Sequence, residues 1–353
     1  MASLTESSVI ARKVIRYAVY GIILILILRF AINLGVKVYR KFVPAPEPEP
    51  TLTFGKLPKL PFPETGAPSN LTFTLETPDG KLPVLPKQTE VYFMPPVTAN
   101  IRALDTAKER AAALGFNSQG RLLVENVPNV YIFQKMNAPS TLTANIVTGV
   151  FSISYDISSD PSVISGLPPA PEVATAQSRS VLASAGLLAE DFKEARTSHE
   201  FLRIEGGKLV PAVSLSEADV IKVNLFRKSY GKDIPSVTAR VREANVWFML
   251  SGAGSRQVIA AEYHYFPIDA QKSGTYPLKT AQEAWDELAS QGGFIASLGN
   301  NATGITIRKV YLGYYDAGQY TEFYQPVVVF EGDNDFSAYV SAITSNFYGK
   351  DEE

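Results

Sequence analysis

The sequence predicts an α+β protein carried on a single N-terminal transmembrane helix. Three observations predict it. Residues 17–36 form an apolar stretch of 20 residues. A proline-rich segment follows it, and three Ala-rich, helix-like stretches, each closed by glycine and followed by strand-like text, occupy the remainder. The expected order is a cytoplasmic tail over 1–13, an anchor over 14–42 and a linker over 43–68. Tandem helix-plus-antiparallel-meander units follow over 69–160, 161–275 and 276–353.

The apolar stretch contains YAVYGIILILIL and, after Arg29, FAINLGV. Twenty residues make a helix of about 30 Å, the thickness of a bilayer core. No small-residue cleavage site follows, so a retained anchor is expected rather than a removed signal peptide. Arg12, Lys13 and Arg16 flank one end and Lys37, Arg40 and Lys41 the other, so the positive-inside rule is silent on orientation. Arg29 lies within the span, where a central charge costs about 2.5–3.5 kcal/mol. Arg29, Asn33, Lys37 and Arg40 share one helical face. That stripe is expected either to snorkel toward headgroups or to meet anionic lipid or an acidic partner helix.

The text VPAPEPEPTLTFGKLPKLPFPETGAP alternates Pro with Glu and Lys and is expected to be an extended, solvated spacer. Folded structure is expected from LTFTLE and the turn Pro78-Asp79-Gly80 onward. The helix-like stretches are LDTAKERAAALGF, PEVATAQSRSVLASAGLL and LKTAQEAWDELASQGGF, with Gly115, Gly186 and Gly292 as their expected C′ residues. Asp105 and Pro171 suit helix starts, and Thr280 with Glu283 forms a capping box. NVYIFQKM, VFSISYDI, HEFLRIEGGKLVPAVS, VIKVNLFRKSY, NVWFML-SGAGS-RQVIAAEYHYF, ITIRKVYLGYY, TEFYQPVVVFE and FSAYVSAI read as strands and hairpins.

Composition narrows function. The net charge of −2 provides no basic field for nucleic acid. With no cysteine, disulfides, thiolate catalysis and Cys-based zinc sites are excluded. His199 and His264 are the only histidines, and neither has a second histidine at ligand spacing. Ser229-Tyr230-Gly231-Lys232 and Lys272-Ser273-Gly274 imitate penicillin-binding-protein boxes, but no S-x-N lies between them. Asp333-Asn334-Asp335 lacks the glutamate that a calcium loop needs at its twelfth position, which is Thr344. No cofactor and no small-molecule substrate is indicated.

The C-terminal order of capped helix, strand, strand, acidic turn and strand resembles PepSY-like modules. It resembles in particular the membrane-anchored regulators of the YycH and YycI type. The resemblance rests on Glu283, Ala284, Trp285 and Leu288 in the helix and on Ile307, Val310, Leu312, Gly313, Tyr314 and Tyr315 in the first strand. It is completed by Pro326, Val328, Phe330, Gly332 and Ala342. It implies a non-enzymatic bitopic envelope protein, extracytoplasmic after the anchor. Such a protein adjusts a partner such as a sensor kinase or restrains a protease. The alternative is a structural subunit of a larger surface or secretion assembly.

VYLGYYDAGQYTEFYQPVVVFEG carries five tyrosines around one turn. Both faces of this hairpin bear aromatic residues, so one face is expected to meet the helix and the other to stay partly open. Pro326 suggests an edge or bulge. Tyr311, Tyr315, Tyr320 and Tyr324 are therefore the expected partner-binding residues, with cross-strand packing as their plainer role.

Overall fold

The protein is described here by a computed structural model. It covers residues 4–42, 48–64, 66, 68, 70–123, 127–254, 257–300 and 303–350, with the backbone alone at 4–11, 39–42 and 350. The chain divides after Glu49 into two compact units.

The first unit is one helix, α1 (Leu4–Phe42), of 39 residues. Within its segment Arg12–Val38 the most apolar 18 residues have a mean hydropathy of 2.3 and none of them is buried. It is long and apolar enough to cross a membrane, and a signal sequence meets the same description. The helix runs unbroken through the boundary expected after residue 13. Arg29, Asn33 and Lys37 are exposed along it, while the side chain of Arg40 lies outside the described residues.

The second unit is mostly sheet. Nine antiparallel strands form the largest sheet, in the order Arg121–Leu122, Val130–Gln134, Ser140–Asn145, Phe151–Tyr155, Val258–Tyr263, Val246–Leu250, Val220–Leu225, Thr197–Glu205, Lys208–Pro211. Helices α2 (Ala103–Ala113), α3 (Pro171–Ser184) and α4 (Glu190–Lys193) cover one face, burying Ala111, Ala174, Leu182 and Phe192 against Phe133, Val223 and Phe248. Gly206 and Gly207, at φ +57 and +77, supply the two left-handed residues of the hairpin that ends the sheet.

A second sheet runs Ser236–Thr238, Gly304–Asp316, Pro326–Gly332, Ser337–Ser341, Phe294–Ser297, with Thr72–Leu75 added parallel to the long strand. Helix α5 (Ala281–Ala289) packs on it through Ala284 and Leu288, and its Thr280–Glu283 capping box is formed as the sequence predicts. A small third sheet joins Asp269–Pro277, Gln88–Phe93 and Phe323–Tyr324.

Three expectations change here. The tandem units over 69–160, 161–275 and 276–353 are not separate, because each of these three sheets crosses their boundaries. Phe151–Tyr155 pairs with Val258–Tyr263, Ser236–Thr238 pairs with the long strand, and Gln88–Phe93 pairs with both Asp269–Pro277 and Phe323–Tyr324. Short strands complete their hydrogen bonds wherever an edge lies, which need not be next in sequence.

The linker expected over 43–68 is part of the fold from Pro50 onward. Leu57–Pro58 pairs with Tyr348–Lys350, Leu57 and Leu60 are buried, and Phe62 stacks on Phe294 at 4.8 Å. Apolar residues spaced among the prolines outweigh the solvation of the charged ones. Residues 43–47 lie outside the described residues. At the end of α5 the left-handed residue is Gln291, at φ +65, and not Gly292. Glycine is needed at 292 for another reason, since a Cβ there would sit 2.9 Å from Glu287 Cγ.

Candidate binding cleft

The tyrosine-rich strands lie inside the domain. Pro326–Gly332 is a central strand, flanked by Gly304–Asp316 and Ser337–Ser341, and Pro326 is tolerated because it begins the strand. Phe323–Tyr324 departs to the third sheet instead of continuing the hairpin. Tyr324 is 1% exposed and Tyr315 3%, which removes both as contact residues. The expected open face is covered in part by Leu60, Phe62 and Val237, and Tyr315 meets Phe62 edge-on at 4.8 Å. Tyr320 remains 38% exposed, and Tyr311 is half-buried. The four tyrosines are therefore not one surface.

Tyr324 belongs to a buried charge cluster between the first two sheets. Arg227 lies at its centre, following the strand Val220–Leu225. Its Nε donates to Asp191 Oδ2 at 3.1 Å, Nη2 donates to the Phe266 carbonyl, and Nη1 is 3.7 Å from Asp316 Oδ1. Tyr230 and Tyr265 donate their hydroxyls to Asp191 at 2.6 and 3.2 Å. The guanidinium lies 4.5 Å from the Tyr265 ring and 5.3 Å from the Tyr324 ring. Burial opposes the charge on Arg227, but Asp316, Tyr324 and Asp191 reverse that and hold it above its ordinary value. Burial likewise raises the Asp316 carboxyl, with Arg227 pulling against it. Arg227 Nη1 reaches Asp316 at ion-pair distance only, and the half-exposed Lys228 ammonium lies 3.8 Å from Asp191 Oδ1, so the cluster clamps the two sheets together through Asp191 and Asp316.

Tyr311 faces a different place, a cleft of about 1020 Å³ between the end of the nine-stranded sheet and the open part of the second sheet. Cross-strand register sets its floor. Tyr311, Val329 and Tyr339 form one row across three strands, and Lys309, Glu331 and Ser337 form the next. Tyr311 donates to Glu331 Oε1 at 2.5 Å under the Lys309 ammonium, which lies 4.3 Å from the ring. Burial first, and then the Glu331 hydrogen bond, raise the Tyr311 hydroxyl, so it is a neutral donor at physiological pH. Tyr339 is fixed by its bond to the Thr238 carbonyl at 3.0 Å.

The opposite wall is the strand Thr197–Glu205, with Ser198, His199, Glu200, Phe201 and Leu202 all lining the cleft. Phe226, with the Arg196 guanidinium 4.2 Å from its ring, closes one end. The carboxylate of Glu243 accepts from Lys222 at 2.5 Å and Arg240 at 2.8 Å. Burial works against the Glu243 charge, but those two hydrogen bonds hold its carboxyl below the usual range. Arg242 engages Asp335.

The remaining sequence motifs are spread over the sheet domain. His199 Nε2 lies 2.8 Å from Thr175 Oγ1, and burial lowers its pKa. His264 bridges Glu262, at 2.9 Å, and the Gly318 carbonyl, at 3.1 Å. Ser229 and Lys232 are exposed. Asp333 takes a forked pair of bonds from Arg308, at 2.9 and 2.7 Å, which uses the acidic turn as an anion for arginine. Among the described residues no group of three His, Cys, Asp or Glu is placed to hold a metal. Sequence reasoning missed Arg196, Glu200, Phe226, Glu331 and Tyr339. Their only signal was alternation on strands whose neighbours are distant in sequence.

No protein-family model matches this chain, and no curated protein matches it. Among solved structures, it is similar to an uncharacterized protein from Eubacterium rectale. The identity is 12%, with 76% of this chain and 86% of that chain covered and a TM-score of 0.32. A superposition that loose carries no argument about fold or activity.

Proposed function

We propose that this chain is a non-enzymatic, single-pass envelope protein whose extracytoplasmic sheet domain binds a protein partner at or in the membrane and regulates or scaffolds it. The observation that carries this reading is the cleft. Its floor presents the half-buried Tyr311 ring, backed by the buried rings of Phe226 and Tyr339, among paired charges and the carboxylate of Glu200. Desolvated aromatic rings ringed by polar groups are the composition of protein interfaces. The ionisable groups there form ion pairs and hydrogen bonds rather than a nucleophile poised on a base. The apolar α1 supports anchorage, and the resemblance of the C-terminal text to PepSY-like and YycH/YycI-type regulators supports a regulatory role.

Fractionation and protease access test the anchored half of this reading. The full chain is expected in the membrane fraction, and residues 50–353 are expected to be digested in intact spheroplasts. A chain that is protected until lysis, or that is released by processing after α1, would overturn it. Crosslinking in native membranes tests the partner half, with a distinct protein joined to the chain as the expected product. A large homo-oligomer in detergent would instead favour a structural subunit.

A further inference from the structure

The strand Thr197–Glu205 has an unused edge. Phe226 donates its amide to the Arg196 carbonyl and Asp219 donates to the Leu202 carbonyl, so even-numbered residues direct their backbone groups toward Val220–Leu225. Ala212 donates to the Phe201 carbonyl, so odd-numbered residues direct theirs the other way. On that other side Lys208–Pro211 pairs only with residues 202–205. The amides and carbonyls of Thr197 and His199 and the amide of Phe201 therefore have no strand partner among the described residues. Five consecutive residues of this strand line the cleft, and only an edge presents consecutive residues, because a face shows alternate ones.

Exposed edges are normally blocked by proline, lysine or a bulge. Residues 197–201 read TSHEF, and their register with Val220–Leu225 is unbroken. The edge is thus left available beside an aromatic floor.

We infer that the cleft binds an extended peptide segment of a partner protein, added as a further strand on residues 197–201, with a lysine or arginine of that segment meeting Glu200. This deepens the binding role proposed above and rests on it. Residues 197–201 span about 16 Å, room for an added strand of about five residues. Main-chain hydrogen bonds would give affinity and alternate side chains specificity. Register places Ser198 opposite Asn224 and Glu200 opposite Lys222, so both side chains stand on the face that carries Glu243 and the rest of the cleft. Four carboxylates line the cleft, Glu200, Glu243, Glu331 and Asp335, against two arginines, Arg196 and Arg242. Lys222 and Arg240 neutralise Glu243, Arg242 engages Asp335, and Lys309 lies 3.7 Å from Glu331. Among the described residues Glu200 has only the Asn224 amide, at 3.1 Å. The Ser198 hydroxyl, buried in the same wall, has no hydrogen-bond partner among the described residues. An incoming strand would complete the edge and the carboxylate together.

The test uses the full chain in detergent micelles and a degenerate pool of nine-residue peptides. In the pool Lys alternates with Val, Ile, Phe, Tyr or Thr. Retained members are expected to slow amide exchange at residues 197–201 at least tenfold. N-methylation of the alternate amides that face the edge should weaken binding at least tenfold, while methylating the other set should not. Glu200→Gln, at an exposed side chain, should weaken binding several-fold without changing the melting temperature, and a pool with Glu in place of Lys should not be retained. His199→Pro removes one edge donor and should abolish binding if the variant folds. A pool from which nothing is retained overturns the inference, as does retention without protection at 197–201 or equal affinity of the two methylated sets. If the peptides bind but native membranes yield no crosslinked partner, the anchored-regulator reading fails and the cleft assignment stands. If a partner is captured equally by Glu200→Gln and His199→Pro chains, the cleft assignment fails and the reading stands.

Discussion

Tyr314 and Tyr324 stack face to face, their ring centroids 5.1 Å apart and their planes at 11°. One comes from the long strand of the second sheet and the other from the short strand that joins the third. Tyr314 donates to the Glu90 carbonyl at 2.7 Å, and Tyr324 is hydrogen-bonded to Ser236. The tyrosine-rich text is thus mainly the joint between two sheets, and stacking contributes beyond the area that it buries.

Tyr324→Ser therefore removes a fully buried ring and should destabilise the protein by about 3–5 kcal/mol. Tyr320→Ser, at the exposed position, should change stability by about 1 kcal/mol or less. Urea unfolding of the two variants measures the difference, and equal losses would contradict this division of roles.

The segment after α1 gives a second prediction. Leu57 is fully buried, Leu60 nearly so, and Phe54 meets Phe323 at 4.8 Å. A fragment beginning at Pro50 should fold cooperatively without lipid. A fragment beginning at Asn70 loses two buried leucines, each worth about 2–3 kcal/mol, and should melt at a markedly lower temperature. Identical melting curves would return residues 50–62 to the role of spacer.

Arg227→Met leaves Asp191 and Asp316 buried without their guanidinium, and breaking such a pair from one side costs about 3–5 kcal/mol. The penalty should depend on pH. Burial raises the Asp316 pKa, and a buried carboxyl destabilises the fold while charged. Removing the cation raises that pKa further, so the penalty should be full at neutral pH and shrink as acidification protonates the carboxyl. Thermal melts of both chains at pH 5 and pH 7 give the comparison, and a penalty that grows on acidification would refute the clamp.

His264 gives the opposite dependence. Its hydrogen bond to Glu262, and then the Gly318 carbonyl, raise its pKa against burial. A base with a raised pKa stabilises the fold fully below its unfolded value of about 6.5, and the contribution disappears as pH rises through the folded value. Glu262→Gln should therefore lower the melting temperature at pH 6 and have little effect at pH 9. An imidazole proton titration by NMR should place the native midpoint above that of the variant.

Legibility followed locality. The capped helix α5, the hairpin at Gly206 and Gly207, and the apolar α1 were readable because a few adjacent residues determine each of them. The strand Ser140–Asn145 escaped because STLTAN carries no long apolar side chain beyond Leu142, and its partners supply its burial. Gln88–Phe93 and Asp269–Pro277 pair with each other across the chain, and nothing in QTEVYF announces a partner so distant. Leu57 and Leu60 were hidden among prolines whose local preference is extension, and extension is also what a strand against Tyr348–Lys350 requires. Tyr311 was legible as a candidate by its side chain alone. Glu200 and Phe226 were not, because the cleft exists only where two sheets made from separate stretches come together.

The central claim is that a partner sits in this cleft, and a photo-crosslinking amino acid at position 311 in the full chain in native membranes tests it most directly. Val173, 49% exposed on α3, supplies the control position. A single discrete adduct from position 311, containing the same partner in repeat preparations and absent from position 173, is the predicted result. An adduct from position 173 with none from 311, or equal adducts from both, would contradict it.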